Sequence, residues 1–75
     1  MSKDECYRRL ASANRLIAEG RDRVSLQKER VIARADLPNF GESVRLLRLL
    51  ERSLELMIQS RTMLVRQLMY WPNYR

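Results

Sequence analysis

The sequence predicts an all-α fold: an antiparallel two-helix hairpin, coiled-coil-like, that dimerises into a four-helix bundle. Three observations lead there. Of the two glycines and two prolines among 75 residues, one of each falls in "ARADLPNFGES", the only convincing break inside the chain. Before that break Leu10, Ile17, Val24 and Val31 recur every seventh residue beside a row of smaller residues, and after it leucine and methionine recur at threes and fours, which is the spacing of helical apolar stripes. The second half carries more such surface than the first half can cover.

The expected organisation is one domain over 1–75, with a first helix over about 3–35, a turn at 36–39, a second helix over about 40–70 and a short tail at 71–75. In the first helix Leu10, Ile17, Val24 and Val31 recur every seventh residue, and Cys6, Ala13, Gly20 and Gln27 fill the neighbouring row. The stripe is narrow. Much of the rest of this helix is arginine and lysine, partly balanced by acid-before-base pairs such as Asp4 with Arg8 and Glu19 with Arg23, whose i, i+4 spacing suits a solvated helix face.

Pro38 disfavours helical geometry at Leu37 and so marks the turn. Asn39 followed by Glu42 reads as a helix start of the capping-box kind. Two helices of nearly equal length, each about 45 to 50 Å at 1.5 Å per residue, joined by so short a link form an antiparallel pair.

The second helix has two apolar rows. Leu47, Leu50, Leu54, Met57, Leu64 and Leu68 form one seam, interrupted by Arg61, while Leu49, Leu56, Met63 and Tyr70 form another at sevenfold spacing. Leu46, Ser53, Ser60 and Gln67 lie between them. One narrow stripe covers one seam. A second copy of the chain is the simplest cover for the other, which gives an expected interface of Leu46, Leu49, Ser53, Leu56, Ser60, Met63, Tyr70 and Trp71.

A chain this short buries a small core and commonly leans on disulfides, a metal or oligomerisation. Its one cysteine and lack of histidine remove the first two supports. The same absences leave no imidazole base and no Cys-His pair, and neither glycine belongs to a phosphate-cradling loop. No enzyme activity, catalytic residue, metal or cofactor is expected. Glu51 and Glu55 share a helix face but alternate with Arg48 and Arg52, as a salt-bridged surface does.

Three single residues invite a closer reading. Cys6 continues the Leu10 stripe and is expected to be packed, as free cysteines commonly are. Gly20, in mid-helix, costs about 0.5 to 1 kcal/mol relative to alanine, which close approach of the second helix offsets. Arg61 replaces an expected leucine; the favoured reading is a polar residue that sets register by reaching Asn14, Gln27, a glutamate or water, against an interior anion site.

The formal net charge is +6, from 15 basic and 9 acidic residues. That excess permits nucleic-acid binding, with Arg8, Arg15, Arg23, Arg30 and Arg34 as candidate contacts, although no aromatic residue lies among them to stack on bases. No signal peptide or transit peptide is discernible at the N-terminus, so a cytoplasmic location is expected. Seven charges between Ser43 and Trp71 argue against a membrane span. "MYWPNYR" offers a partner-docking tail, or a Trp71 that covers the end of the bundle.

"RLIAEGRDRVSLQKERV" and "LLRLLERSLELMIQSRTMLVRQL" resemble a family of short proteins common in rhizobia and related alphaproteobacteria. These pair a first helix of the "IAEGxRxIxxQRxxI" type with a second ending in "RxxLLxxL". The likeness spans most of Leu16 to Leu68 and aligns Gly20, Gln27, Arg61 and Leu64. It implies a bacterial, cytosolic helical hairpin and lends no established function. The family's second-helix histidines and its Gly-Asp or Gly-His turn are missing here, so no histidine-dependent role carries over. From the residues, the expected function is a homodimeric protein-protein interaction module, with another protein as a further partner; the alternative is a small basic nucleic-acid-binding regulator.

Overall fold

The computed structural model describes residues 2–70, which form two helices, α1 (Lys3–Ala33) and α2 (Phe40–Tyr70). The first begins at Ser2, whose side chain accepts a hydrogen bond from the Glu5 amide at 3.1 Å. This satisfies one of the amides that a helix start leaves without a partner. Asp4 and Glu5 in the first turn suit the positive end of the helix dipole.

α1 ends at Ala33, not Ala35, and the turn takes in residues 34–39 instead of 36–39. Pro38 is the reason. Within a continuing helix the Arg34 carbonyl would accept from residue 38, but proline has no N–H. That carbonyl instead accepts from Leu37 at 3.0 Å, and the Ala35 amide bonds to Ile32 at 3.4 Å, so the chain tightens into i→i+3 bonds as helix ends often do. α2 then starts at Phe40, with the Ser43 amide bonded to the Asn39 carbonyl at 3.1 Å.

The two helices pack against each other in opposite directions. Cys6 meets Leu64, Asn14 meets Arg61, Gly20 meets Leu54 and Met57, and Gln27 meets Ser43. A Cβ at Gly20 would lie 3.3 Å from both Leu54 Cδ1 and Met57 Cε. The missing side chain therefore lets α2 approach, which is the compensation a mid-helix glycine needs.

Little is enclosed. The buried apolar residues are Cys6, Ile17 and Val24, and Gln27 and Ser43 are buried beside them. Leu47, Leu50, Leu54, Met57, Leu64 and Leu68, the seam that α1 covers, are half-buried. The molecule is a rod of 60 × 14 × 14 Å. Among the described residues no helix is long and apolar enough to cross a membrane.

Candidate interaction surface

The second apolar row of α2 lies away from α1. Leu49, Leu56, Met63 and Tyr70 are 66%, 55%, 65% and 59% exposed, and Leu46, Ser53 and Ser60 are exposed too. Single exposed leucines are ordinary on protein surfaces; here four large side chains recur at sevenfold spacing along one side of α2. Trp71, expected on the same surface, lies outside the described residues.

The row has distinct borders. Arg45, Arg52 and Arg66, all exposed, stand four residues before Leu49, Leu56 and Tyr70, hence beside them on the helix surface. On the other border, three residues before each row member, stand Leu46, Ser53, Ser60 and Gln67. Beyond Leu46 two shallow grooves separate α2 from α1. One, of about 260 Å³, is lined by Arg23, Leu26, Gln27, Arg30, Leu46 and Leu50. The other, of about 200 Å³ near the turn, adds Arg34, Asn39, Glu42 and Ser43 to Gln27, Arg30 and Leu46.

The candidate nucleic-acid contacts thus divide. Arg23, Arg30 and Arg34 gather along these grooves. Arg8 and Arg15 are exposed and line neither.

Arg61 is exposed, and its Nε donates to Asn14 Oδ1. The guanidinium does not enter an interior anion site; it ties the two helices together at the surface, with the partner anticipated for a register-setting role. Gln27 is the long polar side chain that lies inside the seam, next to the buried Ser43. It is 2% exposed, its Nε2 donates to the Ser43 carbonyl at 2.9 Å, and its Oε1 is buried without a hydrogen-bond partner among the described residues. Sequence reasoning placed Gln27 in the packed row but missed its bond, because the partner is a backbone atom that side-chain patterns do not reveal.

Cys6 is buried, and its thiol donates to the Leu64 carbonyl at 3.7 Å. That is a packing role. Among the described residues no group of three or more His, Cys, Asp or Glu side chains is arranged to hold a metal. No family model, curated protein or solved structure matches the chain.

Proposed function

We propose that the chain is a small non-enzymatic protein-protein interaction module that acts as a homodimeric helical hairpin, the second row of α2 in each copy meeting in a four-helix bundle. One observation carries this reading: Leu49, Leu56, Met63 and Tyr70 all stay more than half exposed. Complete burial of large apolar side chains yields roughly 1.5 to 3 kcal/mol each, so covering this row would add an amount comparable with a small domain's whole stability. Ser53 and Ser60 leave room beside it for a neighbouring helix to approach. Nucleic acid bound through the arginines of α1 would leave the row in water, and so accounts for less of the surface. The setting proposed is the bacterial cytosol, where a free thiol such as Cys6 is ordinary.

The test is Leu56→Glu, followed by sedimentation equilibrium and circular dichroism. An unpaired charge at a covered position costs several kcal/mol, so dimer and helicity should fall together. A variant with wild-type mass and melting temperature would show that nothing covers the row.

A further inference from the structure

We infer that the row, beyond pairing with itself, receives an amphipathic helix of another protein whose apolar stripe is edged with Asp and Glu. This inference rests on the reading of the row as a docking surface. Its own basis is charge. Arg45, Arg52 and Arg66 edge the row on one side, and Arg23, Arg30 and Arg34 stand across the grooves on the other. Glu42 is the one acidic side chain lining those two grooves.

Self-pairing through this surface sets one arginine-edged row against another, and like charges across an interface oppose association. An acidic-edged helix meets opposite charge along the Arg45, Arg52 and Arg66 border, and again at the Leu46 end of the row, where Arg23, Arg30 and Arg34 stand across the grooves. Shape favours a helix over a lipid surface, because the grooves beside Leu46 are hollows of the kind that side chains from a neighbouring helix fill. The homodimer is then the form that the free chain adopts, and the acidic helix displaces it.

The two complexes respond oppositely to salt, since screening relieves repulsion in one and weakens attraction in the other. The probe is a labelled synthetic helix of about 24 residues, long enough to span roughly 36 Å, with leucine at the a and d heptad positions and glutamate at e and g. A second peptide keeps the leucines and carries lysine at e and g. Fluorescence anisotropy with the full chain should show the glutamate peptide binding at least about tenfold more tightly than the lysine peptide. Its affinity should fall as salt rises, while the homodimer measured by sedimentation tightens. Arg23→Gln with Arg30→Gln, both at exposed positions, should shrink the preference at least about threefold without loss of helicity.

Equal binding of both peptides would overturn the acidic-partner inference and leave the docking surface standing. A tight dimer that binds neither peptide would overturn it in favour of self-association alone. A monomer that binds neither would remove the docking reading as well. Failure to bind either peptide combined with co-sedimentation on vesicles containing phosphatidylserine would assign the surface to membranes instead.

Discussion

Gln27 and Gly20 show how much a single position can decide in so thin a core. Among the described residues the Gln27 amide makes one hydrogen bond through Nε2 and buries an Oε1 without a partner. A hydrogen bond contributes about 1 kcal/mol net, whereas a buried unsatisfied acceptor costs about 1 to 3 kcal/mol. Gln27→Met, close in volume and without polar hydrogens, is therefore expected to hold or raise the melting temperature, by about 4 to 8 °C per kcal/mol gained. A clear fall in a thermal melt would mean that Oε1 has a partner in the assembled protein. At Gly20 the atoms facing a new methyl group are the ends of the flexible Leu54 and Met57 side chains, at 3.3 Å. They can move aside, and alanine gains about 1 kcal/mol of helix propensity. Gly20→Ala should thus be neutral or stabilising in denaturant unfolding, and a loss above about 1 kcal/mol would show that the helices cannot separate even slightly.

At the level of elements, α1 and α2 have the same length, 31 residues each, and different demands. The one apolar stripe of α1 is met by α2. The two rows of α2 are not both met by α1, since Leu47 and Leu54 are half-buried while Leu49 and Leu56 stay exposed. Exposure of an apolar side chain is not itself a sign of an interface, and Ile32 on α1 makes the contrast, being 77% exposed but outside the α2 row. Ile32→Glu should change stability by no more than about 0.5 kcal/mol, as isolated surface substitutions do, where Leu56→Glu disrupts the dimer. Equal effects of the two substitutions in parallel melts would deny α2 any special face. Both rows could be read from spacing, as could Pro38 as the turn. The two-residue shortening of α1 could not, because it depends on where the Arg34 carbonyl finds its donor.

For the whole molecule, shape carries the argument. A compact chain of this length has a radius of gyration of about 11 Å, against 17.1 Å here. Its accessible surface is 6217 Å², where a compact protein of 9.0 kDa exposes roughly 4,900 Å². The excess, roughly 1,300 Å², exceeds the ~800 Å² that one partner gives up in an interface of standard size. A rod whose described residues include three buried apolar ones has little enclosed core to hold it alone. If a second copy supplies the rest, unfolding and dissociation are coupled. The melting midpoint should then rise with protein concentration, a tenfold dilution costing about 1.4 kcal/mol of apparent stability per dimer. Coincident melts at about 5 and 50 μM would point to a monomer that is stable alone.

Periodicity and one proline were enough to establish two helices, their junction and the row of each that faces the other, because these follow from local geometry: helical pitch repeats side chains on one face, and a proline past the first turn removes a bond from the ladder. Gly20 could be read as a point of close approach for the same reason. Which polar side chain lies inside and which outside was decided only in three dimensions. Arg61, at a seam position, swings out to Asn14, while Gln27 on the other helix is enclosed over the Ser43 carbonyl. The gathering of Arg23, Arg30 and Arg34 beside Leu46 is likewise a product of packing. It depends on how the two helices are set against each other across the turn, and spacing along either helix alone does not contain that relation.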